Sequence, residues 1–389
     1  MRLGTGGYAF VIAIPDRLPP DAPVSPASPD SATSPDTPTS SGSTASPGSP
    51  ASAAPPSPPA SAASPGPPAS PGSPRSPQSG HIVKSRYTPL QATVASVDEQ
   101  GSVYHETLRD AESIDGMPVV VADLHSALPA ILAGLFEGAS PRFRVAYVMT
   151  DGGALPAWFS RTVAGLREAG WLAGTVTTGQ SFGGDLEAVT VHTGLLAARH
   201  VLGADAAVVA QGPGNLGTGT RWGFSGVAAG EAVNAVAALG GRPVASPRLS
   251  DADPRSRHQG ISHHSLTAYG RVALATADVV LPGLRGALGD RIAAQAAPLG
   301  ARHRLVTVPV DGLADALREC PVPLSTMGRG LDDDLAYFLA AAAAGRHAAT
   351  LLSALPELLS LPERVTPAID CIAYLASRTQ VKSRTQVKP

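Results

Sequence analysis

The sequence predicts an α/β protein: a mostly parallel sheet with helices on both faces, in Rossmann-like layers. Three observations predict it. Short apolar runs without polar alternation, such as Val119-Val120-Val121-Ala122 and Ala206-Ala207-Val208-Val209-Ala210, have the length of strands buried on both faces. Most of these runs are followed by a helical pattern, the repeat that builds parallel sheets. The loops leaving the runs are rich in Gly, Asp, Ser, Thr and His, at the strand ends where such sheets bind ligands.

In chain order, residues 1–18 hold a glycine turn (Gly4 to Gly7) and a strand-like run, Tyr8 to Ile14. Residues 19–79 are almost wholly Pro, Ser, Ala, Gly and Thr, too poor in large apolar side chains to offset chain entropy, and are predicted to be a disordered insertion. Residues 80–355 form the α/β domain. An extended stretch, His81 to Val97, and a short polar helix, His105 to Ser113, lead into it. Strands are predicted at Val119–Ala122, Arg144–Met149, Ala173–Thr177, Ala206–Ala210, Pro243–Ser246, Val279–Leu281 and Leu305–Val308. Helices are predicted at Ala127–Phe136, Ala157–Ala169, Leu186–Leu202, Ser225–Leu239, Leu266–Ala273 and Leu288–Leu299. An alanine-rich helix, Asp333–Leu355, closes the domain, since alanine is the best helix former. Residues 356–389 are a tail in which Ser377 to Lys382 is repeated as Ser383 to Lys388; no function is assigned to it.

Composition excludes several classes. A net charge of −2 and a pI near 6.5 give no reason to expect nucleic acid or an anionic membrane as partner. No apolar run in the sequence reaches the roughly 20 residues that span a bilayer. Cys320 and Cys371 sit in no metal or redox spacing, so a reducing cytoplasm is the expected compartment. Lysine occurs only at 84, 382 and 388. A phosphate-binding loop of the nucleoside-triphosphatase kind needs Lys after its last Gly, and Schiff-base chemistry needs one in the core. Both are excluded.

The binding site is predicted at the strand exits. After the run ending at Ala210, the chain reads Gln211-Gly212-Pro213-Gly214-Asn215-Leu216-Gly217-Thr218-Gly219-Thr220 and then enters a helix. Strand, glycine loop and helix present backbone N–H groups to an anion at a helix N-terminus. The match to G-x-G-x-x-G lacks the acidic residue that would close a dinucleotide site, so NAD is not expected; a tight crossover without ligand is the alternative. Asp151 before Gly152-Gly153 is a helix cap, a ligand or a base. Asp185 opens the next predicted helix and either favours its dipole or faces the pocket. Arg255, Arg257, His258, His263 and His264 gather in one loop. The arginines suit a phosphate or carboxylate, and His263 or His264 suits proton transfer. A divalent metal on the three histidines His258, His263 and His264, with Asp123, His125 or Asp151 completing the shell, is the second reading, and a solvated loop the third. Cysteines 320 and 371 are assigned to packing or surface.

Taken together, Val119-Val-Val-Ala-Asp-Leu-His-Ser126, Ala146-Tyr-Val-Met-Thr-Asp-Gly-Gly153, Gly179 to Glu187, Gln211 to Gly226 and Gly260-Ile-Ser-His-His264 carry a resemblance. In that order they resemble a bacterial family catalogued as domain of unknown function 3866, over about 80–355 plus Leu3 to Pro19. The resemblance implies kinship and no activity. Members usually carry a further segment before the motif that here begins at Leu3, and a short link in place of the Pro/Ser tract.

The residues themselves lead to three expectations. The first is an enzyme, a hydrolase or group transferase, acting on a small anionic, phosphorylated metabolite. The second is a non-catalytic metabolite or nucleotide sensor using the same pocket. The third is a scaffold whose glycines serve packing. The alanine-rich helical surface is compatible with a homo-oligomer.

Overall fold

A computed structural model describes residues 81–84, 92–139, 143–153 and 155–360. The predicted N-terminal strand segment, the Pro/Ser-rich insertion and the repeated hexapeptide lie outside the described residues.

The core is one sheet of eight parallel strands: β1 (Pro118–Ala122), β2 (Val145–Thr150), β3 (Gly174–Thr178), β4 (Leu186–Ala188), β5 (Ala206–Gln211), β6 (Arg242–Ser246), β7 (Asp278–Pro282) and β8 (Arg304–Val308). Their order across the sheet is β8-β7-β6-β1-β5-β2-β3-β4. Every residue of β1, β2, β3 and β5 is buried, which is why β1 and β5 read as apolar runs, while β3 buries three threonines.

Two apolar layers cover the sheet, and alternate residues of each strand supply them. Val120, Tyr147, Met149 and Val208 face a layer containing α1 (Leu128–Phe136), α2 (Arg161–Glu168), a short helix α7 (Leu313–Arg318) and α8 (Leu335–Ser360). Val119, Val121, Val148 and Val209 face the other layer. It holds α3 (Val191–His200), α4 (Ala228–Ala238), α5 (His263–Thr267) and α6 (Gly286–Ala296). α8 is long and apolar enough to cross a membrane by composition, but 72% of that stretch is buried in the protein. It lies against α1 at a seam of glycines. A Cβ on Gly134 would stand 1.9 Å from Ala342 O, and one on Gly345 would stand 1.9 Å from Ile131 O.

Three predicted elements differ. Leu186–Ala188 is a strand and not the start of a helix, because Glu187 and Asp185 are tied back to β3. Thr177 Oγ1 donates to Glu187 Oε2 (2.6 Å), and Thr175 N and Oγ1 donate to Asp185 Oδ2 (2.8 and 2.9 Å). The helix starts later, where the Thr190 side chain accepts from Thr193 N–H as N-cap. The helix expected from Leu266 begins instead at His263, capped by Ser262, and continues as a π-turn over Ala268–Val272. The polar helix expected over His105–Ser113 is one turn, His105–Leu108.

Candidate functional site

The central strand decides where a site can form. β1 and β5 are neighbours and parallel. β1 connects to α1 in one layer, while β5 connects to α4 in the other. The two connections diverge and leave a crevice outside the carboxyl ends of the strands, the place where open parallel sheets bind ligands.

Asp123 leaves β1 and floors the crevice. Its carboxylate accepts from Ser265 Oγ on α5 (3.0 Å), and Ser265 Oγ accepts in turn from Arg248 N–H (2.9 Å). Burial holds the Asp123 carboxyl above its ordinary pKa, with the Arg248 charge and the Ser265 bond opposing. Gly226 is needed beside it, since a Cβ there would stand 2.9 Å from Asp123 O. Gln211 leaves β5 alongside. Its amide nitrogen donates to Asp123 O (2.6 Å) and Asn215 Oδ1 (2.9 Å), which fixes the orientation of the amide. Gln211 Oε1 is then buried without a hydrogen-bond partner. A cavity of about 10 Å³, room for about one water, is lined by Asp123, Thr150, Gln211, Ser225 and Gly226.

The glycine segment Gly212 to Gly223 folds otherwise than predicted. It is a hairpin-like excursion that stands between β5 and the helix N-terminus. Gly217 pairs with Phe224, Thr218 N–H donates to Gly223 O (2.7 Å), Leu216 N–H to Ser225 Oγ (3.0 Å) and Ser225 N–H to Leu216 O (3.0 Å). These N–H groups are spent within the loop. Thr218, Gly219 and Thr220 stand at an exposed tip, and Ser225 and Gly226 occupy the turn leading into α4. The base of the loop packs tightly on the exit of β2: a Cβ on Gly153 would stand 3.0 Å from Gly214 Cα, and one on Gly152 would stand 2.8 Å from Gly214 O. Gly212, Gly214 and Asn215 therefore lie beside Asp151, which is exposed.

The histidines form the next part of the rim. A two-residue ladder, Leu249–Ser250 with Gly260–Ile261, turns the chain back so that His258 meets the first turn of α5. Gly260 makes that turn with φ +70°. One ring nitrogen from each of His258, His263 and His264 lies within 4.8 Å of the other two. Ser262 Oγ bonds His258 Nδ1 at 2.8 Å, and Phe224 stacks on His264 with ring centroids 4.0 Å apart and 6° between planes. His263 Nε2 is buried without a partner. Burial, with Arg248 and Arg255 nearby, brings His258 down to about 3. Burial, then His263 and the neighbouring arginines, brings His264 down to about 3, and burial and the arginines lower His263. All three rings are neutral at pH 7.

Several predicted residues sit elsewhere. Asp185 is a structural cap: it accepts from Thr175 near the amino end of β3 and pairs with Arg167 at 2.7 Å. His125 faces the α1 layer, where Nδ1 bonds Tyr147 OH (2.9 Å) and Nε2 bonds Ser160 Oγ (2.7 Å). Both ring nitrogens are occupied, burial brings the ring down to about 4, and it joins no metal shell with His258. Asp123 likewise lies outside the histidine group. Arg255 is committed to Asp253, with Nε to Oδ1 at 2.9 Å and Nη2 to Oδ2 at 2.8 Å. Arg257 is exposed and free of ion pairs among the described residues.

The sequence reading missed the network beneath the rim. Arg248, 3% exposed, pairs with Asp253 at 2.7 Å; Arg329 pairs with Asp334 at 2.9 Å, and Ser250 Oγ donates to Asp334 at 2.8 Å. Burial raises the Asp253 carboxyl, but the Arg255 hydrogen bonds and the Arg248 and Arg255 charges outweigh it and hold it well below the usual range. The one sequence signal was Arg248 in an otherwise apolar stretch, which a buried strand end tolerates only when paired.

Fold and site define an α/β protein of doubly wound type with a polar crevice at its topological switch point. Residues 68–345 match the family described as "Protein of unknown function (DUF3866)", and the chain belongs to it. No curated protein and no solved structure matches the chain.

Proposed function

We propose that the protein is a cytoplasmic enzyme, a hydrolase or group transferase, acting on a small anionic metabolite held at the rim above Asp123. The observation that supports this is the continuity of proton-handling groups with the crevice. Asp123, whose carboxyl burial raises above its ordinary pKa, joins through Ser265 to the helix that carries His263 and His264. A carboxyl of raised pKa suits proton donation, and the imidazoles at the rim suit hydrogen bonding to the substrate, since a ring held at about 3, as His264 is, is a weak base at pH 7. Arg257, free on the surface, supplies the charge that draws the anion.

The test is a thermal-shift screen of nucleotides, sugar phosphates and phosphorylated acids, followed by turnover assays on each compound that stabilises the protein. Asp123→Asn keeps the shape of the side chain and is expected to lower turnover by about 10²-fold or more. Turnover equal to that of the wild type would remove Asp123 from the mechanism. A non-catalytic sensor is the second reading, favoured by the size of the cavity, which admits about one water beside Asp123. Binding without turnover would establish it.

A further inference from the structure

We propose that His258, His263 and His264 bind a first-row divalent transition metal, with zinc the reference ion. The site takes His263 and His264 as ligands, so with a metal bound their ligating nitrogens no longer serve the substrate as in the reading above; it stands whether or not Asp123 acts in catalysis.

Three imidazoles make a donor set that suits zinc, cobalt or nickel and ill suits calcium or magnesium, which take oxygen. One nitrogen from each already lies within 4.8 Å of the other two. Around a tetrahedral ion with metal–nitrogen bonds of about 2.0–2.1 Å, ligating nitrogens stand about 3.3 Å apart. Closure therefore asks for small side-chain movements and none of the backbone. His263 is only partly buried, which leaves room to make that movement.

Two rings are already oriented from behind, as metal-binding histidines usually are. With a metal on Nε2, His258 Nδ1–H donates to Ser262 Oγ, which has a second lone pair for His264 N–H. His264 is fixed in plane by its stack on Phe224. The second, independent observation is His263 Nε2, enclosed and without any hydrogen-bond partner. A buried imidazole nitrogen without a hydrogen-bond partner costs free energy left unmet. A metal satisfies it.

The arginines nearby oppose a dication, and two carboxylates offset two of the four charges of Arg248, Arg255, Arg257 and Arg329, with Arg257 in no ion pair among the described residues. Asp253 takes Arg248 and Arg255 at 2.7 and 2.8 Å, and Asp334 takes Arg329 at 2.9 Å. Three neutral ligands leave a tetrahedral ion with one position for water or an anion, as in catalytic rather than structural sites.

The experiment uses untagged full-length protein, stripped with chelator and titrated with Co²⁺ and then Zn²⁺. One equivalent of Co²⁺ is expected to give the visible absorption of a four- or five-coordinate nitrogen-ligated ion, which Zn²⁺ displaces. Either metal is expected to raise the unfolding temperature. His263→Ala is expected to keep the unfolding temperature of the metal-free wild type and to lose the absorption. Ser262→Ala is expected to weaken binding about 10- to 100-fold. Asp123→Asn is expected to bind Co²⁺ as the wild type does, so a failed catalytic reading and a failed metal site are told apart. Absence of stoichiometric Co²⁺ binding at micromolar metal overturns the proposal, as does undiminished binding by His263→Ala. If His263→Ala does not fold, His263→Gln and His264→Gln carry the same test.

Discussion

Asp123 and His125 stand two residues apart at the end of β1 and end in opposite layers. Asp123 bonds Ser265 on the α5 side, and His125 bonds Tyr147 and Ser160 on the α1 side. Tyr147 OH donates to Gln211 O (2.9 Å), so it accepts from His125 Nδ1–H, and the neutral ring is left to accept from Ser160 at Nε2. His125 is thus a bracket between β1, β2 and β5. Tyr147→Phe deletes the hydroxyl and leaves a buried N–H and a carbonyl without a partner. Its expected cost is about 1–3 kcal/mol, read as a lower urea midpoint, with Co²⁺ binding unchanged. A midpoint equal to that of the wild type would mean the bracket contributes nothing.

At the scale of elements, the α1–α8 seam and the glycine loop show the same residue type in two uses. Along the seam, Gly134 and Gly345 admit backbone atoms of the facing helix at distances no Cβ permits. Replacing a mid-helix glycine by alanine ordinarily stabilises by about 1 kcal/mol. Here the added methyl meets a backbone carbonyl that cannot rotate away, and overpacking of this kind costs about 1–3 kcal/mol or more. The steric cost wins. Gly134→Ala is expected to lower the denaturation midpoint, and a gain in stability would show that the helices separate without penalty. In the loop, Gly217, Gly219 and Gly223 shape a self-bonded excursion whose tip stands in solvent. The motif was visible in the sequence, but whether its N–H groups face a ligand or each other depends on the partner strand, here Phe224 and Ser225.

For the whole molecule, depressed histidine pKa values set the dependence of stability on pH. His125 lies at about 4 and His258 and His264 at about 3, with His263 and His303 also lowered, against an ordinary 6.5. Between these values and 6.5 the unfolded chain binds protons that the folded chain does not, so stability rises with pH across that window. It is fully present above pH 6.5 and is lost as pH falls. Asp278, held low by His347 and Arg304 against its own burial, adds a loss below its ordinary 3.8. Asp123, raised by burial, works the other way as a single group. Each neutral buried histidine contributes a slope approaching about 1.4 kcal/mol per pH unit. In chelator, the free energy of unfolding from urea titration is expected to be level from pH 8 to 7 and to drop by several kcal/mol by pH 5; a flat profile would place protonated histidines in the folded state.

The sequence by itself determined the fold class and most of the buried strands, because a strand covered on both faces is mostly apolar, and that pattern needs no partner to be read. It also placed polar residues at the strand exits, since backbone and side-chain polarity concentrates where the sheet ends. Only the tertiary structure decided which of them meet. Asp185 went back to β3, His125 went to the layer of α1, Arg255 was consumed by Asp253, and His258 joined His263 and His264. The physical reason is that strand order, in which β5 inserts between β1 and β2, is set by packing among distant segments. Proximity across a sheet leaves no trace in the spacing along a chain.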